Sequence, residues 1–218
     1  MLTPENIESV HRGLINLLDK DNTEQDLRKQ VAESLTQHLY ATLEYYLTNK
    51  KWGEADSQTY RLMLNIANRE KQTFLDYSDI SSFSCPALQR IDQLWVKYSN
   101  NRFGFSVQKD IWIHTGNRLG IKPEQFDDKD YQNYIRFSRA VGWYDDKERV
   151  NETESRGGFV SYDELLTRIN HNPYGYRGTL PYQWVSVGLA IVFGDEAGRR
   201  GGWRGSGGFF SRTALCEL

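Results

Sequence analysis

Leu27, Val31, Leu35, Leu39, Leu43 and Leu47 recur every four residues along a stretch without glycine or proline. Residues four apart stack on one face of an α-helix. The stripe predicts a long amphipathic helix from Thr23 to about Asn49, with Asp26 at the capping-box position, where Glu or Gln is usual. A helix with one greasy face must bury it, so the rest of the chain has to supply the partner surfaces. Shorter helical patterns do so. Thr3-Pro4-Glu5 reads as a cap, a first-turn proline and an acid ahead of Ile7, Val10, Leu14, Leu17 and Leu18. Further patterns run from Glu54 to Arg69, through Leu88, Ile91, Leu94 and Trp95, and from a Ser106 cap through Val107 and Ile111. Two more carry Tyr131, Tyr134, Ile135 and Val141, then Leu165, Leu166 and Ile169. Few runs alternate with period two. The expected fold is mainly α up to about Asn170, with loops at Asp76–Pro86, Gly116–Asp128 and Tyr144–Gly158.

A chain of 218 residues suits one domain, or one domain with a helical extension. The sequence divides into an N-terminal helical extension (1–40), a helical core (41–197) and a Gly/Arg-rich C-terminal tail (198–218). Six Trp and thirteen Tyr can fill a core or coat a cavity; composition does not choose between them. The formal charge of -2 carries no global basic signal for nucleic acid. The excess of arginine is local, in GRRGGWRGSGGFF from Gly198 onward. Arg and aromatic residues spaced by glycine can stack on single-stranded nucleic acid. The short length and few arginines favour a flexible tail or linker instead.

Cys85 and Cys216 are too few for a disulfide framework and point to a reducing cytosol more than to a bridge. The N-terminus lacks a cationic-then-apolar signal pattern. The longest apolar run, WVSVGLAIVF (184–193), falls well short of the roughly 20 residues that span a bilayer, and reads as a buried strand or helix. His11, His38, His114 and His171 lack zinc-like spacing with the cysteines. Neither a G-x-S-x-G elbow nor a phosphate loop is present. The pairs Asp127–Asp128 and Asp145–Asp146 read as solvated loop charge. No nucleophile and base are nominated, so the sequence predicts a binding protein with no catalysis and no protein-ligated metal.

One phrase is more specific. The stretch RFGFSVQKDIW (Arg102 to Trp112) follows YSNN (Tyr98 to Asn101). Upstream stands WGEADSQTYRLM, in which Trp52, Glu54, Ala55, Asp56, Thr59 and Met63 form the pattern Trp-x-Glu-Ala-Asp-x-x-Thr-x-x-x-Met. Phe83, Cys85, Leu88, Ile91, Asp92, Leu94 and Trp95 continue it, and Val141-Gly142-Trp143 closes it. Together, from about Leu43 to Trp143, these residues resemble the genomes-uncoupled tetrapyrrole-binding proteins of cyanobacteria and plastids.

The resemblance implies a compact all-helical core shaped like a cupped hand, with long loops and a wide apolar concave face. It implies a non-catalytic regulator that binds protoporphyrin IX or its magnesium complex and activates magnesium chelatase in chlorophyll synthesis. The implied partner is the large porphyrin-binding subunit of that chelatase, or a signalling partner. The implied location is the cyanobacterial cytosol, membrane-peripheral at most. By motif position, Tyr77 and Ile80 would border the cavity. Phe103, Phe105, Val107 and Ile111 would supply its floor or the packing beneath it, with Trp143 in the later motif and Phe159 on the far loop. Arg61, Arg156 and Arg177 are rim candidates for the porphyrin carboxylates by residue type.

Three departures from the family pattern matter. Phe83-Ser84-Cys85-Pro86-Ala87-Leu88 stands for Phe-Pro-Cys-x-Asp-Leu, Gly178-Thr179-Leu180-Pro181 for Gly-His-Leu-Pro, and no basic residue is an assured rim counterpart. They keep an alternative open: a sensor or protein-interaction module, in a signalling or defence system, that has lost the tetrapyrrole. A second alternative is single-stranded nucleic-acid contact through the tail.

Overall fold

The computed structural model describes residues 4–18, 25–121, 125, 127–147, 149–151, 154–155, 158–172, 175–186 and 206–218. The predicted long helix is present as α2 (Gln25–Thr48), and its start at Thr23 lies outside the described residues. Leu35, Leu39, Leu43 and Leu47 are fully buried along it, whereas Leu27 is exposed. The stripe therefore becomes core only from its second third onward. The N-terminal part of α2 carries α1 (Pro4–Leu18) instead. α1 also makes polar contacts with α3 and with Glu70 beyond it. The buried Glu8 carboxylate accepts from Arg12 Nε at 2.9 Å and from Arg61, while Arg12 reaches Glu70 at 2.7 Å.

The next helices are α3 (Trp52–Ile66), the short α4 (Tyr77–Ser81), α5 (Cys85–Ser99) and α6 (Phe105–His114). The α4 turn lies inside a segment whose sequence reads as loop. Its reason is a reciprocal cap: Asp79 N donates to Asp76 Oδ1 at 2.9 Å, and Asp76 N to Asp79 Oδ2 at 3.0 Å. The same device starts α7 (Asp128–Ala140), where Asp127 and Asp130 cap each other. Asp127 is thus a structural cap rather than idle loop charge. Pro86 sits in the first turn of α5, where its missing N–H costs nothing.

Two small antiparallel pairs follow. Strand β1 (Tyr144–Asp145) pairs with β4 (Gly158–Phe159), and β2 (Arg149–Asn151) with β3 (Glu154–Ser155). Then come α8 (Tyr162–His171) and the short α9 (Gln183–Ser186). Most of the apolar run 184–193 lies outside the described residues; Trp184 within it is buried.

The C-terminal region departs most from its sequence reading. Residues 206–215 form a further helix, α10. Its first turn holds Gly207 and Gly208. Glycine costs about 1 kcal/mol in a helix relative to Ala. Isolated helices shorter than about 12–15 residues are marginal in water. Local propensity therefore does not hold α10; burial does. Phe209 and Phe210 are buried in the aromatic core, and each such ring gives on the order of 2–3 kcal/mol. Cys216, just past the helix, is disulfide-bonded to Cys85 across 131 residues. The sequence expectation of two unpaired cysteines is corrected here. A count of two says nothing about which residues a fold brings together.

Candidate functional site

The phrase RFGFSVQ is held by backbone and polar contacts as well as by its buried aromatics. Gly104 has φ 135°, and a Cβ there would lie 2.8 Å from Asp92 Oδ1 and 2.9 Å from Val96 Cγ2. Only glycine fits that approach. Gly104, not Ser106, precedes α6, and the cap acceptor comes from another helix: Ser106 N donates to Asp92 Oδ1 at 2.9 Å.

The chain from Gly178 to Gln183 straps this phrase down. Gly178 N donates to Arg102 O at 2.8 Å, and Gly104 N to Leu180 O at 3.1 Å. The buried Gln108 amide donates to Gly178 O at 2.9 Å and to Pro181 O at 2.8 Å. Trp143 Nε1 donates to Thr179 O at 2.8 Å. The strap's far end reaches α3, where Tyr182 N and Gln183 N donate to the Asp56 carboxylate at 2.8 and 3.2 Å. Burial pushes the Asp56 carboxyl up to about 6, against the lowering effect of those donors. Asp56, Asp92 and Gln108 all sit in the quoted motifs, and all three serve the scaffold.

With the phrase fixed, its aromatics part company. Phe103 is fully buried in a nest with Trp52 at 5.3 Å and Trp95 at 6.2 Å between ring centroids. Phe105 turns to a second nest. There it meets Phe209 at 4.9 Å and Trp184 at 6.2 Å. Phe210 extends this nest to Trp112 at 5.0 Å and Phe137 at 5.5 Å. Phe137 joins Trp143 at 5.2 Å, and Tyr134 joins Phe159 at 6.0 Å. Val107 is buried, and Ile111 is half-buried against Gly178.

Tyr77 of α4 reaches α10. Ile80 is buried, while the exposed Tyr77 ring covers Gly208 so closely that a Cβ there would stand 2.7 Å from Tyr77 Cε2. Phe105, Trp112 and Phe137 therefore form one aromatic face, bordered by α4, and α10 lies on it.

The rim candidates are engaged elsewhere. Arg61 pairs with Glu8, and Arg177 donates to Asn101 O at 3.2 Å. Arg156 lies outside the described residues. The cation beside the aromatic face is one that residue type alone did not nominate. Lys109 stands one turn beyond Phe105 on α6 and donates to the Leu218 backbone oxygen. The signal in the sequence was its i,i+4 spacing from Phe105.

Two open clefts flank α8. One of about 400 Å³ is lined by Arg102, Leu165, Arg168, Ile169 and Tyr176, and one of about 390 Å³ by Gly53, Glu54, Arg61, Tyr162 and Leu166. Both have the size of small-molecule sites. Neither contains Phe103, Phe105, Val107, Ile111 or Trp143. Among the described residues, no group of three or more His, Cys, Asp or Glu stands where it could hold a metal, and no helix is long and apolar enough to cross a membrane.

The GUN4-like family profile matches residues 33–183, the span that carries the Phe103 nest, the strap, and Phe105, Trp112 and Phe137 of the second nest. The chain belongs to the GUN4-like family. Over 80 residues it is 38% identical to the chloroplastic tetrapyrrole-binding protein of Arabidopsis thaliana, covering 36% of this chain and 30% of that protein. A protein named ycf53 from Pyropia yezoensis is 28% identical over 150 residues, 68% of this chain and 52% of its own length. A Ycf53-like protein of Synechocystis is 29% identical over 82 residues, 37% of this chain and 35% of that protein. The chain thus spans about half, or less, of the length of these relatives. The ligand-free structure of Arabidopsis thaliana GUN4 aligns at 27% identity over 59% of this chain and 85% of that one, with a TM-score of 0.40. The helical GUN4-like assignment agrees with the sequence expectation, and α10 lies beyond the matched span.

Proposed function

We propose that this GUN4-like chain is a tetrapyrrole-binding regulatory protein, and that its porphyrin seat is the aromatic face between α4 and α6. The observation that carries the reading is that Phe105, Trp112 and Phe137 gather against the same α10 rings, within a chain that matches the family over residues 33–183. A porphyrin is a rigid apolar plane with two carboxylate tails. Clustered aromatic rings suit the plane, and a cation at the edge suits a tail. Lys109 takes that second role. The name of the Arabidopsis relative supports the ligand class. The role is binding rather than catalysis. The ligand is protoporphyrin IX or its magnesium complex, the partner is the large porphyrin-binding subunit of magnesium chelatase, and the setting is a cyanobacterial cytosol.

The test is a titration of the full chain, kept reduced, with protoporphyrin IX and with magnesium protoporphyrin, followed by tryptophan quenching. Saturable quenching by either supports the reading; linear, non-saturating quenching by both rejects it. A second reading is favoured by one observation: Phe209 and Phe210 already occupy the face. In that reading the chain keeps the fold as a protein-interaction module and has given up the ligand.

A further inference from the structure

We propose that Cys85 and Cys216 form a reversible thiol–disulfide latch that holds α10 over the aromatic face, and that reduction of the bond opens the face to a tetrapyrrole. The second half of this inference rests on the reading of that face as a porphyrin seat.

The latch joins two points that matter. Cys85 opens α5, two residues past Phe83 and close after α4, the border of the face. Cys216 follows α10 directly, so the bond ties the far end of α10 to that border. Besides the burial of Phe209 and Phe210, the other fastenings of α10 are hydrogen bonds that water can replace. Arg212 donates to Phe83 O at 2.9 and 2.6 Å, Gln89 Nε2 to Cys216 O at 2.7 Å, and Gly120 N to Ser211 Oγ at 2.8 Å. The helix itself begins with two glycines and is short, so it has little stability away from its seat.

What α10 places on the face is two aromatic rings, packed edge-on or tilted against it. Phe209 lies against Phe105 and Trp184, and Phe210 against Trp112 and Phe137. An aromatic plane is the shape that a porphyrin would bring to the same rings, so the two compete. Lys109 repeats the pattern, since its ammonium is engaged by the Leu218 oxygen while α10 is docked. The redox step needs a dithiol. One thiolate of the dithiol attacks a sulfur of the Cys85–Cys216 bond, the bond breaks, and a mixed disulfide forms. The second thiol then closes the reductant's own disulfide. Two electrons and two protons pass to the protein, and Cys85 and Cys216 leave as thiols. Cys85 is the more exposed of the pair and offers the point of attack.

The test uses the full chain, oxidised and after reduction with dithiothreitol, beside the variant Cys85→Ser/Cys216→Ser. Two quantities are read: amide hydrogen exchange in residues 209–216, with 35–47 of α2 as the internal reference, and the Kd for protoporphyrin IX. The expected result is exchange at least about tenfold faster in 209–216 on reduction, with α2 unchanged, and a Kd at least about tenfold lower. The double variant should match the reduced protein and ignore the reductant. Unchanged exchange in 209–216 overturns the latch whatever the porphyrin does. Exchange that rises equally in α2 overturns it too, since the bond would then staple the whole fold. Faster exchange with an unchanged Kd overturns the covering role. Faster exchange with no porphyrin binding in either state supports the latch and rejects the porphyrin reading instead.

Discussion

Asp92 on α5 accepts the Ser106 amide at 2.9 Å, so the cap of α6 is supplied from fourteen residues away. Asp92→Ala leaves that first-turn donor without its acceptor. A lost cap costs about 1–2 kcal/mol. Urea unfolding should show a loss of that size, and Asp92→Asn, which retains an acceptor oxygen, a smaller one.

Gly104→Ala should cost more than a lost cap. The substitution places a Cβ 2.8 Å from Asp92 Oδ1 and 2.9 Å from Val96 Cγ2, at φ 135°. Strain at such a position costs on the order of 1–3 kcal/mol, and the displaced carboxylate also loses the Ser106 amide. Thermal melts should place this variant below Asp92→Ala.

Asp56 predicts a pH dependence of defined sign. Its folded pKa is raised to about 6 because burial penalises the carboxylate. An unfolded Asp titrates near 3.9. Between these values the folded state binds the extra proton, so stability falls as pH rises through that window. This contribution is present below about pH 4 and lost above about pH 6. Asp76, Asp130 and Asp145 have lowered pKa values and act in the opposite sense at more acid pH. The difference between wild type and Asp56→Asn isolates the effect. Urea midpoints from pH 4 to 7 should fall with pH more steeply in the wild type than in the variant. Parallel curves would show that Asp56 does not titrate in this window.

The two phenylalanines of the signature phrase should separate in their effects. Phe103 fills the nest of Trp52 and Trp95, so Phe103→Ala should cost about 3–5 kcal/mol in unfolding experiments. With α10 released on reduction as proposed, Phe105 loses its contact with Phe209, so in the reduced chain Phe105→Ala should cost less stability than Phe103→Ala.

Much of this architecture is legible before any coordinates. The four-residue leucine spacing gives α2, and Leu165 and Ile169 give the buried side of α8. What escapes are interactions between distant residues. Ser106 reads as its own helix's cap because the true acceptor, Asp92, lies on the preceding helix. The α4 turn is hidden because Asp-x-x-Asp is a weak form of the capping box. The C-terminal region reads as a tail because glycine and arginine dominate it, yet Phe209, Phe210 and Cys216 are the residues that dock it. At the site, the aromatic supply is visible in the sequence. Which ring belongs to which nest is not, since Phe103 and Phe105 are two residues apart and serve opposite sides.

The most direct measurement is a Soret-band titration of protoporphyrin IX into the reduced full chain, with Phe105→Ala and Lys109→Ala alongside. The account predicts saturable binding at micromolar ligand in the wild type. It also predicts a Kd raised at least about tenfold by Phe105→Ala and by a smaller factor by Lys109→Ala. Absence of saturation up to about 50 μM, or equal affinity in all three proteins, would contradict it.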